Sequence, residues 1–218
     1  MHGYIQRKKE KKLRSALSRS PAVAILGPRQ SGKSTTAKRF LKDTPSVYLD
    51  LQDRVDRNKL SEPELFFDRY RDKLICLDEI QLLPEFFSVL RSEIDKDRRP
   101  GRFLILGSAS RDLIKQSTES LAGRIAYIDL TPFIVKEIAN ITNWSDTWLR
   151  GGFPESILAG NDMDSFDWRL DFIRTFMERD IPNLGFNIPV PVIERLWMLL
   201  AHYNGQTINY HRLATAAD

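Results

Sequence analysis

Five short apolar runs punctuate the first 130 residues, and each is followed by a residue that can turn the chain or bind a ligand, or by a further polar stretch. Ala22-Val23-Ala24-Ile25-Leu26 ends at Gly27, Ser46-Val47-Tyr48-Leu49 at Asp50, and Leu74-Ile75-Cys76-Leu77 at Asp78. Phe103-Leu104-Ile105-Leu106 ends at Gly107, and Ile125-Ala126-Tyr127-Ile128 is the fifth run. Unbroken apolar runs of this length read as strands buried on both faces, the type found in parallel sheets. Between them the spacing predicts helices: one over 33–42, and one after Pro84 with Phe86, Phe87, Leu90 and Ile94 on a single face. Strands alternating with helices predict an α/β domain with a mostly parallel sheet. The pattern stops near Leu130, and beyond Pro132 the chain reads as mostly helical. Phe166, Leu170, Ile173 and Met177 form one amphipathic stripe, and Val192, Ile193, Leu196, Leu199 and Leu200 form another; both are expected to pack in a core.

The N-terminus carries Arg7, Lys8, Lys9, Lys11, Lys12, Arg14 and Arg19. No apolar stretch follows this charge before Pro21, so it is not a secretory signal. It reads as the solvated face of a helix packed through Leu13 and Leu17; the alternative is a patch for nucleic acid or acidic lipid. Composition narrows the classes further. With 42% apolar and 28% charged residues over 218 positions the chain can build a core, so disorder is excluded. No apolar run approaches the roughly 18 residues that would span a membrane. A net charge of +4 is too small to argue for nucleic acid unaided. Cys76 stands alone, so no internal disulfide forms, and a cytoplasmic location fits. His2, His202 and His211 match no metal-ligand spacing.

Gly27-Pro28-Arg29-Gln30-Ser31-Gly32-Lys33-Ser34 fits the phosphate-loop pattern of Gly, four free positions, and Gly-Lys-Ser. Its context supports the reading, since it leaves a buried strand and opens a helix. Glycines let backbone N–H groups turn inward around phosphate oxygens, and the helix N-terminus adds partial positive charge. Gly27 through Thr35 are therefore the candidate binding residues for ATP. Lys33, expected to sit exposed, would reach the β- and γ-phosphates, and Ser34 would ligate Mg²⁺. Arg29 and Gln30 occupy free positions, touching the nucleotide or a partner subunit, or simply facing solvent.

A phosphate loop needs an acid at the end of another buried strand, because ligands of open α/β sheets bind at that edge. Asp78 supplies it, as a candidate Mg²⁺ ligand. Glu79 follows, either as the general base that polarises the attacking water or as the start of a turn before Gln81; the first is favoured. Ser108, after the fourth strand, either faces the γ-phosphate or belongs to a Gly-Ser turn.

Together these segments resemble the AAA+ ATPases, and more narrowly a bacterial and archaeal family described as ATP-binding proteins of the AAA type. The resemblance runs through the phosphate loop, Leu77-Asp78-Glu79-Ile80-Gln81, Gly107-Ser108-Ala109-Ser110, Ser120-Leu121-Ala122-Gly123-Arg124, Gly151-Gly152-Phe153-Pro154-Glu155 and Glu178-Arg179-Asp180-Ile181. It implies a five-stranded core with strand order 5-1-4-3-2, then a helical lid, then a winged helix. Residues 1–20 would be a basic lead-in, 21–131 the core, 132–204 the lid, and 205–218 the start of a winged helix that breaks off in its first helix, so the chain reads as a fragment. The resemblance also places Arg124 where such proteins carry an arginine acting in trans on a neighbour's nucleotide, which implies a homo-oligomer. The alternative for Arg124 is an ion pair, for instance with Asp129. Arg150 would sense nucleotide from the lid, and Arg179 with Asp180 reads as a helix-end ion pair.

The function expected is Mg²⁺-dependent ATP hydrolysis that moves the lid and appended domain. One competitor is a nucleotide-gated DNA-binding regulator with incidental turnover, in which this chain alone binds DNA weakly. Another is a kinase for a small acceptor, which Glu79 beside Asp78 argues against.

Overall fold

The computed structural model describes residues 3–108, 119–183, 185–186, 188–203 and 205–217. The chain divides into two compact units, Met1–Phe166 and Asp167–Asp218. The helical segment from 132 to 166 thus groups with the sheet.

The first unit opens with α1 (Lys9–Leu17), β1 (Ala22–Leu26), α2 (Lys33–Leu41) and β2 (Ser46–Asp50). Two short helices follow, α3 (Arg54–Asn58) and α4 (Pro63–Arg69), which the periodicity does not reveal. Their signals are local: the Asp53 carboxylate accepts from the Val55 N–H at 2.8 Å, and Pro63 stands in the first turn of α4. Then come β3 (Leu74–Asp78), α5 (Phe86–Lys96), β4 (Phe103–Gly107) and β5 (Ile125–Asp129). The sheet runs β2-β3-β4-β1-β5 with every pair parallel, which is the expected 5-1-4-3-2 order. β1, β3 and β4 are buried at all five positions, whereas β2 and β5, at the edges, are only partly buried. This is why the central strands read as continuous apolar runs.

Strand side chains alternate between two faces. Val23, Ile25, Cys76, Leu104 and Leu106 pack with Leu13 and Leu17 of α1 and with Ala37, Phe40 and Leu41 of α2. Ala22, Ala24, Leu26, Ile75, Leu77, Phe103 and Ile105 pack with Phe66 and Phe67 of α4 and with Phe86, Phe87, Leu90 and Ile94 of α5. A parallel sheet brings all its C-terminal strand ends to one edge, so Gly27, Asp78 and Ser108 gather there from distant parts of the sequence.

After β5 come α6 (Val135–Ile138), α7 (Trp144–Arg150), α8 (Pro154–Ile157) and α9 (Asp162–Thr175), which runs on into the second unit. There a π-helical turn, Phe176–Asp180, precedes α10 (Val190–His202) and α11 (Tyr210–Ala217) after a further short turn. Within the second unit Trp168, Phe172, Phe176 and Trp197 stack in series, with centroids 5.1, 5.8 and 6.1 Å apart. The stripe expected to be wholly core is not: Met177 is buried, but Phe166 and Leu170 are 49% and 50% exposed. Periodicity identifies an apolar face and does not say what covers it. Ile193 of the second stripe is buried, but Leu200 is exposed. Arg179 is exposed and Asp180 buried. Among the described residues no helix is long and apolar enough to cross a membrane.

Candidate functional site

The loop between β1 and α2 is shaped by two glycines at which any side chain would be strained. A Cβ on Gly27 would fall 2.1 Å from the Leu130 carbonyl oxygen, because Leu130 runs alongside and donates its N–H to the Leu26 carbonyl at 2.7 Å. Gly32, which caps α2, has φ +88°, in the left-handed region that favours glycine. The Thr36 hydroxyl donates to the Gly32 carbonyl at 2.8 Å and braces the first turn.

Lys33 is buried, contrary to the exposed position expected for it. Its ammonium folds back onto the loop and donates to the Gly27 and Pro28 carbonyls at 3.0 and 2.8 Å. A four-carbon stem at the start of a helix can lie along the preceding turn, and the loop carbonyls supply acceptors that water would otherwise supply. The Ser31 hydroxyl is buried within the same loop and has no hydrogen-bond partner among the described residues.

Asp78 and Glu79 sit at the end of β3. Asp78 is buried; one carboxylate oxygen accepts the Glu79 N–H at 2.9 Å and the other accepts the Tyr48 hydroxyl from the neighbouring strand β2. Burial, then this bond to a carboxylate, pushes the Tyr48 phenol well above its usual range, so it stays a donor at any physiological pH. Glu79 has φ +57° and its carboxylate accepts from the Gln81 side-chain amide.

Loop and acidic strand meet around a cavity of about 360 Å³, lined by Gln30, Gly32, Lys33, Ser34 and Glu79, with Arg29 and Thr35 also contributing. Among the described residues two non-glycines have positive φ, Gln30 at 59° and Glu79 at 57°, and both line this cavity. Such backbone costs about 1–2 kcal/mol per residue and gathers at functional sites. Pro154 and Glu155 line the same cavity. The turn before them is docked on the chain after β5: Phe133 donates its N–H to the Gly152 carbonyl at 2.7 Å, and a Cβ on Gly152 would meet the Phe133 carbonyl at 2.3 Å. The Gly-Gly-Phe-Pro-Glu string is visible in the sequence, but nothing in it says that it reaches the loop.

The other expected site residues do not line this cavity. Ser108 follows β4, half-buried, next to the register pair Leu26–Gly107; Ala109 and Ser110 of its motif lie outside the described residues. Arg124 is held by Asp95 of α5 in a two-pronged pair at 2.9 and 2.8 Å, and also donates to the Ala122 carbonyl. Its intrachain partner is therefore Asp95 and not Asp129, and the guanidinium keeps the Asp95 carboxyl down at about 2. Arg150 pairs with Asp162 at 2.7 Å and donates to the Ala159 carbonyl at 2.9 Å. The basic N-terminal run divides: Lys8, Lys9, Lys11, Lys12, Arg14 and Arg19 are exposed as a solvated face would be, but Arg7 is buried. Its Nη1 donates to the Ser31 carbonyl at 2.8 Å and its Nη2 to the Thr131 carbonyl at 2.5 Å.

A strand-to-helix loop with a left-handed glycine, a lysine and a helix N-terminus suits a phosphate chain. Among the described residues no group of three or more His, Cys, Asp or Glu comes together around a metal. An ion here would thus draw on Ser34, Asp78, water and the phosphates themselves, the usual habit of Mg²⁺.

A family model described as an AAA domain matches residues 19–139, and one described as a domain of unknown function matches 141–218. Uncharacterized proteins of Mycobacterium tuberculosis and Mycobacterium bovis are each 42% identical over 207 residues, which is 95% of this chain and 46% of theirs. The chain thus spans about half the length of these curated relatives. Among solved structures, the Walker-type ATPase of Pyrococcus abyssi superposes with a TM-score of 0.58 at 16% identity, covering 98% of this chain and 88% of that one, a likeness of fold.

Proposed function

Because the chain belongs to the AAA-type family of phosphate-loop ATPases, we propose that it binds Mg·ATP in the cavity between residues 27–35 and Glu79 and hydrolyses it. The observation that carries this reading is the meeting of two strained backbones, Gln30 and Glu79, with Lys33 around one cavity. In this reading the loop N–H groups cradle the phosphates, and Lys33 exchanges the Gly27 and Pro28 carbonyls for phosphate oxygens. Ser34 and Asp78 would hold Mg²⁺, which would supply charge neutralisation on the phosphates. Glu79, released from Gln81, takes a proton from the attacking water. Ser108 faces the γ-phosphate, and Arg124, once it leaves Asp95, serves a neighbouring subunit's nucleotide. Turnover moves the helical region beyond β5; Pro154 and Glu155, which line the cavity wall, support that coupling.

The test is phosphate release from ATP without any added acceptor, which separates hydrolysis from a kinase. Glu79→Gln should bind ATP as wild type does and release phosphate at least about tenfold more slowly. Turnover at the wild-type rate would place the base elsewhere. The exposed Lys8, Lys9, Lys11, Lys12 and Arg14 favour a second reading, in which nucleotide controls contact with DNA. These cations can only neutralise phosphates, so binding should be weak, indifferent to sequence and lost as salt rises. Tight, salt-resistant binding to one duplex would point to a different reading surface.

A further inference from the structure

Arg7 lies outside residues 19–139, the span matched as an AAA domain, and stands in a run that otherwise faces solvent. Yet its side chain is 3% exposed, and each part of the guanidinium is engaged. Nε pairs with Glu137 at 3.2 Å, a carboxylate 2% exposed. Nη1 donates to the Ser31 carbonyl at 2.8 Å, Nη2 donates to the Thr131 carbonyl at 2.5 Å, and Cζ lies over the Phe133 ring, 4.7 Å from its centre. Glu137 is itself fixed, accepting the backbone N–H groups of Lys8 at 2.7 Å and Ile134 at 3.2 Å. An arginine this far desolvated, with a planar fork spent on two backbone carbonyls, holds geometry that a solvated cation could not.

The Ser31 contact gives Arg7 a part in the site. A trans peptide is planar, so its C=O and N–H point in opposite directions. With the Ser31 oxygen drawn onto Arg7, the N–H of the same peptide, that of Gly32, points away from the guanidinium. Gly32 lines the phosphate cavity. At φ +88° its backbone has few side-chain constraints of its own, so an external hold on this peptide matters. A cation on the carbonyl also polarises the peptide and makes its N–H a stronger donor.

We propose that Arg7 is a positioning residue of the nucleotide site: by holding the Ser31 carbonyl it aims the Gly32 N–H at the ligand's phosphates. The same guanidinium ties the loop to Thr131 and Phe133, the segment on which the Gly152 turn is docked. The proposal rests on the reading of the cavity as an ATP site.

The experiment is calorimetric titration with Mg·ATP, Mg·ADP and AMP, on wild type, Arg7→Lys and Glu137→Gln, each checked for folding by thermal melt. Lysine keeps a cation for Glu137 but loses the planar fork. A hold exerted through the loop should weaken ATP and ADP by about tenfold, the worth of roughly one hydrogen bond, and leave AMP within about twofold. Glu137→Gln should lower the melting temperature with a smaller change in the ATP-to-AMP affinity ratio. Equal weakening of all three ligands in Arg7→Lys would reduce Arg7 to general scaffolding, and unchanged ATP and ADP affinity would overturn the proposal outright. A second measurement needs no variant: the Gly32 amide resonance of the wild type should move downfield on adding ADP, and a stationary resonance in a protein that binds ADP would overturn it as well. Wild type that binds neither ADP nor ATP would sink the ATP site itself, a different outcome from any of these.

Discussion

Replacing Lys33 by alanine tests the site and the packing of the loop at once. Lys33 is 6% exposed, and its ammonium bonds the Gly27 and Pro28 carbonyls at 3.0 and 2.8 Å. Hydrogen bonds to a charged donor contribute about 1.5–3 kcal/mol each when buried. Here the loop borders an open cavity, so water recovers part of that for the freed carbonyls, and the net loss should be about 2 kcal/mol. For a domain of this size that is a fall of roughly 4–8 °C in melting temperature without ligand. Ligand then separates the two roles. At Mg·ATP near 100 times its dissociation constant, the wild type gains about 2.7 kcal/mol, or roughly 5–11 °C. Lys33→Ala should gain almost nothing, so the gap widens to about 5 kcal/mol. The assay is a pair of thermal melts for each protein, with and without Mg·ATP. A mutant that keeps the full ligand-induced shift would refute the assignment of this loop. A mutant that melts with the wild type in the absence of ligand would refute the bracing role of the ammonium and leave the phosphate role standing.

Gly27→Ala forces a Cβ to within 2.1 Å of the Leu130 carbonyl, so the end of β5 must move and its 2.7 Å bond to Leu26 must stretch; a loss of about 2–4 kcal/mol in urea unfolding is expected, and an unchanged midpoint would contradict the packing. If Arg124 works between subunits, Arg124→Ala should bind ATP normally but turn over about 10³-fold or more slowly. Mixing it with Glu79→Gln should partly restore activity; no rescue on mixing would leave Arg124 as the partner of Asp95. Cys76 is wholly buried, and that burial raises its thiol well above the usual range, so at pH 8 a thiol reagent should react only as fast as the protein unfolds. Rapid labelling of the native protein would show that β3 is more open than its packing implies.

The sequence alone determined the elements that depend on local pattern. Central strands of a parallel sheet are buried on both faces, so β1, β3 and β4 had to be unbroken apolar runs, and their ends showed where Gly27, Asp78 and Gly107 must stand. The phosphate loop was legible for the same reason, because its function lies in the order of backbone-permissive residues at a strand–helix junction. The strand order rested on resemblance, and the register then brought the strand ends together. Tertiary structure decided what depends on residues far apart in the chain. It drew Lys33 down onto its own loop, and it gave Arg124 to Asp95, 29 positions away. It brought Pro154 and Glu155 to a cavity that begins at residue 29. Arg7 illustrates the difference best. In sequence it is one cation in a run, and hydrophobic periodicity treats all of them alike. Only packing buries one of the seven against Glu137, 130 residues on, because a buried guanidinium needs a carboxylate and carbonyls that no local pattern can supply.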